Sequence, residues 1–147
     1  MRTVKDLLEN KKGEIYSVGP KATVFEALKI MGDKEIGALM VVDESGKVLG
    51  IASERDYYRK IDLLGKSKET AVEEIMTPVG ELYRVRPENS VEDCMVLFTA
   101  KKVRHLPVFD KGDFVGIIST GDVIKSIIAE QETLIEHLSN YISGKYV

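Results

Sequence analysis

The sequence lacks several features that would have assigned it quickly. It has one cysteine, Cys94, among 147 residues. That excludes an intrachain disulfide and points to a reducing compartment, taken as the cytoplasm. Its two histidines, His105 and His137, lie far apart in the chain, and with a single thiol they make no zinc-ligand set. There is no basic excess: 21 Lys and Arg stand against 24 Asp and Glu, a net charge of −3, which disfavours a nucleic-acid binder. No apolar run approaches the roughly 18 residues of a membrane span, and the N-terminus MRTVKDLLENKKGE is too charged for a signal peptide. No Gly-rich phosphate loop is present, and no nucleophile–base–orienter set stands out. The chain therefore reads as a non-enzyme, with no catalytic residue and no metal ligand. Tryptophan is missing as well, which decides nothing. What remains is an ordinary globular balance, 44% hydrophobic and 31% charged, in a chain long enough to bury a core without covalent staples.

What the chain has is a copy of itself. At an offset of 67, Gly13, Glu14, Tyr16, Val18 and Pro20 recur as Gly80, Glu81, Tyr83, Val85 and Pro87. Val24, Leu39, Val41 and Asp43 recur likewise as Val91, Leu106, Val108 and Asp110. The offset then falls to 66, so that Gly50, Ile51, Ser53 and Asp56 match Gly116, Ile117, Ser119 and Asp122. The lost residue lies between DESG (43–46) and DKG (110–112), two hairpin turns with glycine where φ must be positive. A one-residue change is tolerated there, whereas inside a strand it would flip every side chain to the other face. Upstream the offset is 68, where VKDLL (4–8) matches VEEIM (72–76). The chain is thus read as two repeats, 1–68 and 69–147.

Each repeat reads β-α-β-β-α, an α/β class of α+β type. Thr23 with Glu26, and more weakly Ser90 with Asp93, fit capping boxes that open helices. Val24, Ala27, Leu28 and Met31 fall on one helix face, as do Val91, Cys94, Met95 and Phe98; Cys94 is therefore read as core. Strands follow over 36–42 and 48–53, and again over 103–109 and 114–119, with helices starting near Glu54 and Thr120. Neither repeat buries much alone, so the two sheets are expected to pack into one core with pseudo-twofold symmetry. The last helix outruns its counterpart. Ile124, Ile127, Ile128, Leu134, Ile135, Leu138, Tyr141 and Ile142 follow the 3, 4 spacing of a buried stripe, belonging either to its own domain or to a subunit contact.

The chemistry concentrates in GIASERD (50–56) and GIISTGD (116–122). Each places Ser and Asp at a strand-to-helix junction. A carboxylate there can accept both hydrogen bonds of a vicinal diol, glycine admits close backbone approach, and helix N-terminal amides favour phosphate. The alternative is plain helix capping by Ser and Asp.

Together with VEEIMT (72–77), VRHLPVFD (103–110) and GIISTGDV (116–123), these motifs resemble the cystathionine β-synthase (CBS) domain. The chain is similar to a stand-alone tandem pair, or Bateman module. The resemblance implies a non-catalytic regulator that binds AMP, ADP, ATP, NAD(H) or S-adenosylmethionine in clefts between the repeats and signals to a partner protein. It also implies a homodimer. Carried over residue by residue, it gives ribose contacts to Ser53, Asp56, Ser119 and Asp122, base contacts to Ile36, Gly37, Ala38 and Val103, and phosphate contacts to Arg55, Arg104 and His105. One cleft would pair Ser53 and Asp56 with 103–105, the other Ser119 and Asp122 with 36–38.

The cations are unequally shared. Arg55, Arg104 and His105 are matched by Gly121, Gly37 and Ala38 in the other repeat. Phosphate needs charge-assisted donors, so it is expected on the Arg55, Arg104 and His105 side. If the clefts open onto a shared centre, those cations serve a ligand held at Ser119 and Asp122 instead. A ligand-independent interaction module is the competing function, and the long C-terminal stripe favours it.

Overall fold

The computed structural model describes residues 2–11, 15–62 and 65–144. In chain order the elements are α1 (Val4–Asn10), β1 (Ser17–Val18), α2 (Val24–Lys34), β2 (Ala38–Val42), β3 (Val48–Ser53), α3 (Glu54–Asp56), β4 (Thr77–Pro78), α4 (Val91–Lys101), β5 (His105–Asp110), β6 (Asp113–Ser119) and α5 (Thr120–Ser143). Two compact units result: Gly13–Tyr83, and Met1–Lys12 together with Arg84–Val147.

In the 13–83 unit the sheet order is β1-β2-β3-β4. β1 runs parallel to β2, with Val18 opposite Val41; β2–β3 and β3–β4 are antiparallel. The core gathers Val24, Ala27 and Met31 of α2 with Leu39, Val41, Ala52 and Ile61. In the 84–147 unit β5 and β6 form an antiparallel pair. Val85 bridges Val108 in parallel, the counterpart in this unit of the Val18–Val41 pairing. Leu106, Val108, Ile118, Val91, Cys94, Phe98 and Val123 fill this core.

The match at offset 68 becomes an exchange of segments. Val4 and Leu7 of α1 are buried in the core of the 84–147 unit. Their counterparts, Val72 and Ile75, are buried in the core of the 13–83 unit. The backbone repeats the pattern. Val4 N–H donates to Asn89 C=O (2.8 Å) and Lys5 N–H to Pro87 C=O (2.9 Å), while Val72 N–H donates to Ala22 C=O (2.7 Å) and Glu73 N–H to Pro20 C=O (3.2 Å). A sequence repeat and a compact unit therefore differ, because the segment that opens each repeat completes the unit built by the other. Residues 1–68 lack Val72 and Ile75, and residues 69–147 lack Val4 and Leu7.

Five helices open on reciprocal capping boxes: Thr3–Asp6, Thr23–Glu26, Ser53–Asp56, Ser90–Asp93 and Ser119–Asp122. Each Ser or Thr hydroxyl accepts the N–H three residues on, and each carboxylate accepts the N–H of the cap residue. Both hairpin glycines take positive φ, Gly46 at 87° and Gly112 at 88°. Helices α2 and α4 end alike, with Glu35 and Lys102 in the left-handed region.

Four expectations change. The strands begin at Ala38 and His105, so Ile36, Gly37, Val103 and Arg104 lie in the turns before them. α3 is a single turn, continued as a π-helical segment Tyr57–Asp62. Met95 is exposed, although its neighbours Val91, Cys94 and Phe98 are buried; a stripe narrower than the sequence suggested suffices against β5 and β6. The α5 stripe is not buried as a whole: Val123 is core and Ile127 partly so, whereas Ile124, Ile128 and the apolar residues from Leu134 to Ile142 are exposed. Gly13 and Glu14 of the repeat match, and Lys12, lie outside the described residues.

The motif glycines receive the exchanged segments. A Cβ on Gly50 would overlap the Thr77 carbonyl oxygen and come within 3.0 Å of Met76 Sδ; one on Gly116 would meet Leu8 Cδ2 at 2.7 Å. Leu8 is a flexible side chain that can swing, but the Thr77 carbonyl belongs to the β4 ladder. Gly50→Ala should therefore cost about 1–3 kcal/mol by overpacking, and Gly116→Ala clearly less. Urea denaturation of the two variants checks the order, and a larger loss for Gly116→Ala would contradict this account.

Candidate functional site

The two Ser-x-x-Asp junctions are built alike. Ser53 ends β3 and caps α3: Asp56 N–H donates to Ser53 Oγ (3.2 Å), and Ser53 N–H donates to Asp56 Oδ2 (3.0 Å). Ser119 ends β6 and caps α5, with Asp122 N–H to Ser119 Oγ at 3.2 Å and Ser119 N–H to Asp122 Oδ2 at 2.8 Å. The next N–H is also claimed in each case. Glu54 N–H donates to Gly37 C=O, and Thr120 N–H to Arg104 C=O, both at 3.1 Å. Across the ladders Ala38 faces Ser53 and His105 faces Ser119.

Within each unit, the sequence-predicted residues thus come together in two sets. Ser53 and Asp56 lie beside Gly37 and Ala38, with Ile36 just before them and Arg55 on α3. Ser119 and Asp122 lie beside Arg104 and His105, with Val103 just before.

The caps engage chiefly one oxygen of each carboxylate. Each box uses the carboxylate's Oδ2. In Asp56, which is buried, Oδ1 accepts a long hydrogen bond from Thr77 Oγ1 (3.4 Å) and lies 3.7 Å from Lys60 Nζ. In Asp122 the cap and a lysine, Lys11, both bond Oδ2. A carboxylate has about four lone-pair sites, so a cap leaves each aspartate with capacity to accept from a hydroxyl.

Two lysines near these carboxylates escaped the sequence reading. Lys11, just past α1, donates from Nζ to Ile117 C=O (2.9 Å) and to Asp122 Oδ2 (3.1 Å). Lys60 donates to Ile75 C=O (2.7 Å) while facing Asp56. Lys60 was legible as an i, i+4 partner of Asp56. Lys11 stands near the start of the chain and Asp122 near its end, and no local pattern points from one to the other. Each aspartate therefore has a lysine ammonium beside it, which lessens the charge inequality expected from Arg55, Arg104 and His105 alone.

His105 carries no charge at neutral pH. Its pKa is pushed down to about 4, chiefly by desolvation, then by the cations Lys11 and Arg104, with Asp122 opposing. In this state the ring offers a hydrogen bond, and Arg104 and Lys11 carry the positive charge. Cys94 is buried, and desolvation pushes its thiol up to about 11, as a core side chain requires. No cluster of His, Cys, Asp and Glu able to hold a metal, and no helix long and apolar enough to cross a membrane, occurs among the described residues.

Paired α/β repeats, each with a capped Ser-x-x-Asp junction closing its second strand, define a tandem module. The chain belongs to the CBS-domain family, whose model matches residues 3–62 and 72–129. It is 40% identical over 151 residues to the mitochondrial CBS domain-containing protein CBSX3 of Arabidopsis thaliana, covering 98% of this chain and 73% of that one. A protein with CBS domains from Burkholderia ambifaria superposes with a TM-score of 0.82 at 45% identity, over 88% of this chain and 96% of that one. CBSX2, solved in complex with AMP, superposes with a TM-score of 0.71 at 28% identity, over 88% and 98%. The CBS pair of protein MJ0100, solved with 5′-methylthioadenosine and S-adenosyl-L-methionine, gives 0.72 at 25%, again over 88% and 98%.

The histidine sets a pH dependence. With a folded pKa of about 4 against 6.5 unfolded, the unfolded chain binds a proton that the folded one refuses. Stability therefore falls as pH drops from 6.5 to 4, by on the order of 2–3 kcal/mol in all. His105→Gln should flatten that part of a stability-against-pH curve measured by urea unfolding. An unchanged slope would show that the ring is not the group responsible.

Proposed function

We propose that this chain is a non-catalytic regulatory module of the cytoplasm. It takes an adenine nucleotide or related adenosyl ligand at its Ser-x-x-Asp junctions and passes the binding event to a partner protein. The observation that carries this reading is the state of the two aspartates: each cap uses Oδ2, and Oδ1, which in Asp56 meets only the long Thr77 hydroxyl contact and Lys60, keeps room for a ribose hydroxyl. The AMP and S-adenosyl-L-methionine complexes of similar modules support the ligand class. Asp56 and Asp122 would hold ribose, with Ser53 and Ser119 fixing them. Ile36, Gly37, Ala38 and Val103 would offer apolar and backbone surface to the base.

For the phosphates, the neighbourhood of Asp122 is favoured. There Arg104 and Lys11 carry the charge and the neutral His105 ring adds a hydrogen bond, against Arg55 and Lys60 beside Asp56. This supports the alternative in which Arg104 and His105 serve the ligand at Ser119 and Asp122. Arg55 would serve the ligand at Asp56.

Thermal shift against AMP, ADP, ATP, NAD, NADH and S-adenosylmethionine tests the ligand class, since a ligand specific to the folded state raises Tm. Asp56→Asn and Asp122→Asn keep an acceptor for the cap but remove the charge; each should lower the ligand-induced shift while the fold persists. No shift in the wild type with any of the six at millimolar concentration would favour a ligand-independent interaction module.

Lys11→Met addresses the phosphate. It should weaken AMP by roughly tenfold, the worth of one charge-assisted hydrogen bond, and leave adenosine nearly unaffected. Isothermal titration with the two ligands reads the difference, and equal losses for both would remove Lys11 from the phosphate contacts.

A further inference from the structure

The two repeats differ at the carboxyl ends of their parallel strands. In the 13–83 unit an open cleft of about 540 Å³ lies there, walled by Ser17, Gly19 and Lys21 on one side and by Val42, Asp43 and Glu44 on the other. It sits at the far end of β2 from the Ala38–Ser53 pairing, about 13 Å away at 3.3 Å per residue. At offset 67, Ser17, Gly19 and Val42 correspond to Arg84, Arg86 and Phe109. In the 84–147 unit the Arg84 guanidinium carbon lies 4.3 Å from the Phe109 ring centroid, and Phe109 packs edge-on against Phe114 at 5.7 Å. The first repeat thus replaces two arginines and an aromatic ring by small side chains. It keeps the acid: Asp43 corresponds to Asp110, and Glu44 stands in the turn that carries Lys111 in the second repeat.

The charge left over in the cleft is negative. Asp43 Oδ1 accepts from the Ser45 hydroxyl (2.7 Å) and from the Ser45 and Lys47 N–H groups (both 2.9 Å). These bonds hold the carboxyl below its ordinary range and leave Oδ2 to accept from a ligand. Glu44 is exposed. Lys21, on the opposite wall, is bonded to Glu73 at 2.6 Å, which counters its charge.

From these differences we infer that the cleft receives an arginine side chain of a partner protein, at the counterpart of the place where the second repeat seats its own Arg84. A guanidinium fork matches a carboxylate with two parallel N–H groups, and its apolar stem can lie along Pro20 and Val42. An ammonium, a compact and strongly hydrated point charge, matches this site less well. The volume falls within the roughly 300–1,000 Å³ of ligand sites. The position, outside the carboxyl ends of parallel strands, is where open α/β sheets bind ligands. The inference goes beyond the adenosyl reading and does not depend on it.

Amide chemical-shift mapping of the isotope-labelled full chain, titrated to millimolar acetyl-Gly-Arg-Gly-amide, tests the site. The amides of Gly19, Lys21, Ala22 and Glu44 should shift together and saturate, and the norleucine analogue of the peptide should leave them in place. Ser17→Arg/Val42→Phe rebuilds the filling of the second repeat and should weaken binding by about tenfold or more. Glu44→Gln, in an exposed turn, should weaken it about threefold and reads the same contact should the double variant fail to fold. An arginine peptide that moves none of the cleft amides would overturn the inference, as would either variant binding as tightly as the wild type. So would free L-arginine binding about tenfold more tightly than the blocked peptide, because recognition of its own amine and carboxylate marks a small-molecule site.

Discussion

The reciprocal capping box at each strand-to-helix junction is the constraint on which the rest depends. A strand that ends at Ser53 or Ser119 must hand its backbone to a helix without stranding the first amide protons. The serine hydroxyl takes one, the aspartate returns to the serine N–H, and the Gly37 or Arg104 carbonyl takes the next. Once this is satisfied, the aspartate can no longer rotate freely. A carboxylate fixed by one oxygen presents the other in a set direction, with little ordering entropy left to lose on binding. The helix cap is what the geometry shows, and the diol acceptor proposed for the same motif would use the arrangement the cap already sets.

Much of this was legible because it is local. Capping boxes join residues three apart and hairpin glycines sit within a single turn, and the offsets of 67 and 66 align them across the chain. The class of fold and the two junctions follow from those features. What could not be read was set by distance or by competition. Lys11 meets Asp122 across most of the chain's length. Ile36 and Val103 look like strand by hydropathy and carry Gly37 and Arg104 with them, yet Gly37 and Arg104 turn their carbonyls to the following helix and so precede the ladder. Met95 has the spacing of a core residue, but Val91, Cys94 and Phe98 already fill that face.

The offset of 68 was visible, but its consequence was not. Sequence similarity says that 4–8 and 72–76 are equivalent; it does not say which sheet each covers. Packing decides that Val4 and Leu7 close one core and Val72 and Ile75 the other. At roughly 1.5–3 kcal/mol for burying each large aliphatic side chain, a repeat cut at its sequence boundary would lose a substantial part of its hydrophobic stabilisation. Marginal domains survive few losses of that size. The duplication thus makes the halves interdependent: a disturbance to one unit falls on a segment that adjoins the other in the chain.

That interdependence gives a ligand something to act on. Lys11 ends the exchanged helix α1 and bonds both the β6 carbonyl of Ile117 and the carboxylate of Asp122. On the proposed function, a ligand hydroxyl at Asp122, or a phosphate beside Lys11, would change the partners of a group that anchors α1. Nearby His105 is kept neutral by desolvation and by these same cations, and an incoming phosphate would favour its charged form. Binding shifts a conformational equilibrium only through contacts that differ between the two states. The contacts that could differ on the proposed function lie at the end of the segment tying one repeat to the unit of the other, so a ligand at Asp122 would act on a segment that continues along the chain from α1 towards β1.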